Sequence, residues 1–247
     1  MQTTRVDVIA LARGGNYTNV GYFSSAYKLM ETSLFLSDSL IRAAMPAMLY
    51  AKEPPEIGRI LRTFFATASV FYLPLVVVFL ARGEQLLALL FGSEYGTGGY
   101  TTLIALAWAL LALVSLSVFT TALLVSNHSA DVAVVAGVTM VVKLSIVWPL
   151  VDRWGSLGAG IAVAIAFTLQ ASLLFWRLAR HGSRPRFGVS LLPAVVGGIA
   201  MLPVLLTGLP LIPALIAAGA VYTLLWALAA HHFDPDSLAR VRALIKK

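Results

Sequence analysis

The sequence predicts an all-α, polytopic membrane helix bundle, and three observations lead there. Hydrophobic residues make up 59% of the 247 and charged residues 12%, with a mean hydropathy of +0.87. That leaves too little polar side chain to coat a soluble globule of this size. The apolar residues fall into successive runs close to the ~20 residues that cross a bilayer as a helix. Lys and Arg collect in alternate loops between those runs, the pattern of a chain that crosses a membrane repeatedly.

The runs give seven full spans and one partial one. The partial span is Val6 to Ala12, ended by Arg13, Gly14, Gly15 and Asn16. The first full span, Val20 to Tyr50, is unusually polar. Six cleaner spans follow near Ile60 to Leu80, Tyr100 to Val125, Val132 to Val151, Gly158 to Trp176, Val189 to Leu206 and Leu211 to Ala230. Turn residues separate them: Pro54 and Pro55, the stretch Gly92 to Gly99, Trp154 and Gly155, and Gly208 to Pro210. Residues Arg240 to Lys247 form a basic tail. Arg5, Asp7 and Arg13 interrupt the short apolar start, so it does not read as a cleavable signal. It reads instead as a truncated helix.

Placing the tail in the cytoplasm puts Arg240, Arg242, Lys246, Lys247, Arg177, Arg180, Arg184, Arg186, Lys52, Arg59 and Arg62 on that side. Only Arg13, Arg82 and Arg153 fall opposite. Eleven against three predicts a cytoplasmic C-terminus, since positive loops stay inside. The formal charge of +7 is thereby assigned to topology, and no nucleic-acid motif accompanies it. Cysteine is absent, and His128, His181, His231 and His232 form no spaced ligand set. No disulfide, metal or cofactor is expected.

The polar first full span carries the functional argument. Lys28, Glu31, Asp38 and Arg42 each cost about 2.5–3.5 kcal/mol at the bilayer centre. At 100° per residue they fall, with Ser24, within about 80° of one another, a single stripe on an otherwise apolar helix. Lys28 and Glu31 are spaced i,i+3, and Asp38 and Arg42 i,i+4, so opposite charges can pair along the stripe. One reading makes the stripe glue between helices, with Lys28 and Arg42 snorkelling to the interfaces. The preferred reading is the wall of a hydrated cavity, because a lipid-facing charge has no comparable solvent. Pro46 marks either a hinge in this helix or its end.

Lys143 lies about 18 Å from the cytoplasmic end of its span, too deep to snorkel. No acid in the same span neutralises it. It therefore pairs with an acid elsewhere, Asp7 or Glu31, or faces an anionic ligand. Arg5 and Asp7, at the start of the truncated helix, are further candidates for the cavity wall. His128, His231 and His232 fall at span ends and read as solvated or interfacial. Tyr22, Tyr27, Tyr50, Tyr95, Tyr100, Trp148, Trp154 and Trp176 suit an aromatic belt at the two interfaces. Gly155, Gly158 and Gly160 suit close helix packing, and no strand precedes them to make a nucleotide loop.

Three segments resemble the polysaccharide flippase (Wzx-like) family of the multidrug/oligosaccharidyl-lipid/polysaccharide exporter superfamily. They are Val20-Gly-Tyr-Phe-Ser-Ser-Ala-Tyr-Lys-Leu29, Leu90-Phe-Gly-Ser-Glu-Tyr95 and Trp154-Gly-Ser-Leu-Gly-Ala-Gly-Ile-Ala162. The resemblance runs from about Arg5 to the end and corresponds to the C-terminal half of a family member. It implies the second lobe of a MATE-like fold over residues 1–180, its first helix truncated, and two additional helices with the basic tail over 181–247. It also implies a multi-pass protein of the bacterial cytoplasmic membrane, not an enzyme. Such a protein moves undecaprenyl-diphosphate-linked oligosaccharide between leaflets by alternating access. Lys28, Arg42 and Lys143 would attract the anionic cargo, and Glu31 and Asp38 would tune them or bind a coupling proton or sodium ion. The chain departs from the family in lacking the first lobe, so a missing N-terminal half or partner chain is implied beside the membrane lipids.

Three alternatives stand beside this. A cation-coupled drug exporter of the same superfamily would favour a cavity centred on carboxylates. A membrane-embedded transferase would need an acid, His or metal cluster at one interface, which the sequence does not offer. A non-transporting assembly partner would tolerate neutral residues in the stripe.

Overall fold

The computed structural model describes residues 4–13, 17–51, 53–183 and 191–233; the side chains of Thr4, Arg5 and residues 230–233 are outside the described set. The calls on Lys52, Arg184, Arg186, Val189 and the tail Arg240 to Lys247 also lie outside the described residues. Seven helices account for the described residues, with no strand among them: α1 (Thr4–Arg13), α2 (Tyr17–Tyr50), α3 (Pro54–Phe91), α4 (Ser93–Val125), α5 (Ser129–Arg180), α6 (Leu192–Leu205) and α7 (Leu211–Phe233). Four, α3, α4, α5 and α7, are long and apolar enough to cross a membrane. The molecule is an all-α polytopic membrane helix bundle.

Helix α5 contains 52 residues, about 78 Å if straight and far more than one bilayer. It is broken at Gly155, whose φ of 55° and ψ of −127° suit a residue without Cβ. The chain reverses there. A Cβ on Gly158 would lie 2.0 Å from the Leu150 carbonyl oxygen, so the reversal is as tight as backbone allows. The two halves of α5 are the expected spans around Val132 to Val151 and Gly158 to Trp176, with their turn at Trp154 and Gly155.

The stretch Gly92 to Gly99, expected to be a loop, is not one. Only Gly92 (φ 109°) breaks the helix, and α4 begins at Ser93. Helix α3 breaks at the non-helical Arg82 (φ −133°, ψ 16°), close to the expected span end at Leu80, and a second helical segment continues to Phe91. The glycines beyond Gly92 serve packing instead of turning. A Cβ on Gly96 would come within 2.9 Å of the Glu84 oxygen, and one on Gly98 within 2.2 Å of the Tyr22 ring. Small residues let helices approach closely where lipid offers no hydrophobic drive to associate. Pro46 is neither the end of α2 nor a break in it: the helix continues to Tyr50.

The chain forms two compact units: the described parts of Met1–Leu49 with Gly83–Gly182, and of Tyr50–Arg82 with Ser183–Lys247. In the first, Leu103, Leu106, Leu110 and Leu123 of α4 are buried with Val147, Val163, Leu174 and Leu178 of α5. Gly160 lets α5 approach Thr102 and Ala105 of α4, where a Cβ would sit 3.2–3.3 Å from their side chains. In the second, Ala194, Met201 and Leu205 of α6 pack with Ala218, Tyr222 and Trp226 of α7 and with Val70, Leu73 and Val77 of α3. The Tyr222 hydroxyl donates to the Val70 carbonyl at 2.8 Å. The buried Arg82 guanidinium donates to the carbonyls of Leu205 and Thr207, capping the C-terminal end of α6 where backbone acceptors have no helical partner.

Candidate functional site

The buried side chains of α2 include Phe23, Ala26, Met30, Ser37 and Met48, and at 100° per residue they define one face. Ser24, Lys28, Glu31, Asp38 and Arg42 lie about a third of a turn around from it, and all five are exposed on the chain's own surface. The stripe therefore follows from the spacing in the sequence. Lys28 Nζ donates to Glu31 Oε2 at 3.3 Å, with the two side chains 65% and 47% exposed. An ion pair this open contributes little by itself. Asp38 and Arg42, one helical turn apart, form no ion pair among the described residues. These two charges thus extend from α2 without an ion-pair partner among the described residues, an arrangement that suits a hydrated or polar neighbour.

Lys143 is in a different setting. Its ammonium donates to Asp7 Oδ2 at 2.7 Å, and the two side chains are 5% and 0% exposed. Of the two acids that the sequence offered, Asp7 is the partner. The pair joins α1 to the first half of α5, across 136 residues. Asp7 Oδ1 is buried and accepts no hydrogen bond from the described residues, among which the carboxylate is satisfied on one side only. Arg13, at the end of α1, lies 5.3 Å over the Trp148 ring and adds a cation–π contact to the same helix. Thr139 and Ser145 hydrogen-bond to carbonyls of their own helix, Val135 and Val141. Arg5 belongs to α1, and its side chain is outside the described set.

A second polar cluster escaped the sequence reading. It closes the open end of the α5 hairpin. Asp131 Oδ1 accepts from Arg177 Nη1 at 2.8 Å, and Oδ2 is 2.7 Å from His181 Nε2. The His181 ring packs on His128, centroid to centroid 3.6 Å, and His128 Nδ1 is buried without a hydrogen-bond partner. Arg180 stacks on Trp176 at 3.9 Å. Asp131 stands in the first turn of α5 and Arg177 in the last, each at the end its charge favours. Asp131 precedes the apolar segment starting at Val132. The hydrogen bond from His181, with the charges of Arg177 and the histidines, holds its carboxyl below the usual range despite opposing desolvation. His128, read from sequence as solvated or interfacial, is half-buried in this cluster.

The described residues thus present two chemically distinct polar features: an exposed stripe of both signs on α2, a helix expected as the first full span but not among those apolar enough to cross a membrane, and a buried amine held by a carboxylate between α1 and α5. Neither is a nucleophile–base constellation. Comparison with protein-family models and with curated proteins finds no match.

Proposed function

We propose that the chain is a lobe of a flippase that carries a lipid-linked oligosaccharide with an acidic, diphosphate-class linkage across the bacterial cytoplasmic membrane by alternating access, its C-terminus in the cytoplasm. The observation that carries this reading is the α2 stripe: four ionisable side chains on one face of a 34-residue helix, all exposed and turned away from the helix's buried face. Charges so placed suit a water-filled passage completed by a further lobe or partner chain. The three family-like segments support the same reading, and Lys28, Arg42 and Lys143 supply cationic contacts for an anionic linkage. Glu31 and Asp38 balance the stripe and are the candidates for a coupling proton or sodium ion.

The reading is tested by neutralising Lys28, Arg42 and Lys143 together in the membrane-inserted protein. Glycan export stops while membrane insertion is retained. Export retained in that triple variant overturns the assignment of a cationic cavity.

A second reading has one observation in its favour. Because the stripe is exposed on this chain, it also suits a polar seam against another membrane helix in a non-transporting assembly. In that case the same triple substitution disrupts complex formation and leaves no substrate-dependent phenotype of its own.

A further inference from the structure

We infer that Asp7 occupies the position at Lys143 that an anionic group of the cargo takes, so that the carboxylate of α1 and a phosphate-class anion compete for one buried amine. This rests on the reading of Lys143 as an anion-binding residue given above.

The geometry favours exchange over simple addition. The Lys143 side chain is 5% exposed, so an incoming anion reaches the ammonium only when the ion pair opens. The pair is also incomplete. A buried carboxylate offers about four acceptor positions, and burial is offset only when these are met. Among the described residues Asp7 meets them on Oδ2 alone, and its buried Oδ1 has no donor there. A phosphate or diphosphate brings more charge and more acceptor oxygens to the same ammonium.

Helix α1 is short. It has ten residues, too few to hold helical structure without packing. Among the described residues, Asp7 with Lys143 and Arg13 over Trp148 join it to the first half of α5 at sites five residues apart, beside the buried apolar side chains of Ala10 and Leu11. Loss of the ion pair leaves the apolar packing and a cation–π contact of modest strength. Binding an anion at Lys143 therefore loosens α1, coupling occupancy of the site to movement of a helix that borders it.

The full chain in lipid nanodiscs, with farnesyl diphosphate as the probe, tests this. Asp7→Asn binds the probe at least about tenfold more tightly than wild type, Asp7→Glu stays near wild type, and Lys143→Gln loses binding. Equal or weaker binding by Asp7→Asn, with binding still lost in Lys143→Gln, overturns the competition and leaves Lys143 as an anion site. Binding unaffected by Lys143→Gln, or absent from every variant, overturns the anion-site reading itself. A second measurement keeps Asp7 intact. Ile9→Cys and Val141→Cys, at exposed positions on α1 and α5 in a cysteine-free chain, carry spin labels. Their separation increases on adding farnesyl diphosphate; an unchanged separation contradicts displacement of α1.

Discussion

At the scale of residues, the ionisable side chains divide by what surrounds them. Lys143 was legible as a residue in need of a partner because its own span holds no acid, and the structure supplies Asp7. The Asp131 cluster was not legible, because its members are 46 and 50 residues apart and meet only when α5 folds back at Gly155. A histidine at a span end carries no sequence signal that distinguishes a solvated ring from one packed on another. The cluster makes a definite prediction. Asp131→Asn lowers the thermal unfolding midpoint of the detergent-solubilised protein throughout the neutral range, since Arg177 and His181 lose a charged acceptor. A carboxyl whose value is depressed on folding contributes stability above its unfolded value, here 3.8, and that contribution disappears as pH falls through the lower folded value. The gap between variant and wild type therefore closes only below about pH 3.8. A gap that persists undiminished well below pH 3.8 contradicts stabilisation by the Asp131 carboxylate.

At the scale of elements, hydropathy and turn residues located the spans, and helix–helix packing decided what the glycines do. Gly155 was expected at a turn and is one. Gly96, Gly98 and Gly99 were also read as turn residues, yet they lie inside α4. Composition alone does not separate a glycine that bends the chain from one that admits a neighbouring helix. Gly158 gives the sharpest test of the α5 reversal. Gly158→Ala forces a Cβ to within 2.0 Å of a backbone oxygen, which cannot rotate away as a side-chain tip can. The substitution costs about 1–3 kcal/mol or more in reversible unfolding. Gly137→Ala, where a Cβ meets nothing within 4 Å, stays close to wild type. Equal stability of the two variants would contradict the tight reversal.

At the scale of the whole molecule, the helical membrane architecture was readable from hydrophobic run length, because bilayer thickness sets that length and the backbone must satisfy its own hydrogen bonds in lipid. The role of the charged stripe was readable only in part. Helical periodicity placed the five residues on one face, and the structure adds that this face is exposed among the described residues. What fills the space before it is the central claim: water and an anionic cargo. The absence of cysteine gives a clean background for its most direct measurement, single substitutions Ser24→Cys, Lys28→Cys, Glu31→Cys, Asp38→Cys and Arg42→Cys in the membrane-inserted protein, probed with a membrane-impermeant thiol reagent. Ala43→Cys, on an exposed apolar position about 100° around the same helix from the stripe, is the reference. The account predicts that the stripe positions label rapidly, Ala43→Cys does not, and farnesyl diphosphate protects Lys28→Cys and Arg42→Cys. Stripe positions that react no faster than Ala43→Cys would show that the stripe faces protein or lipid, and would contradict the hydrated passage.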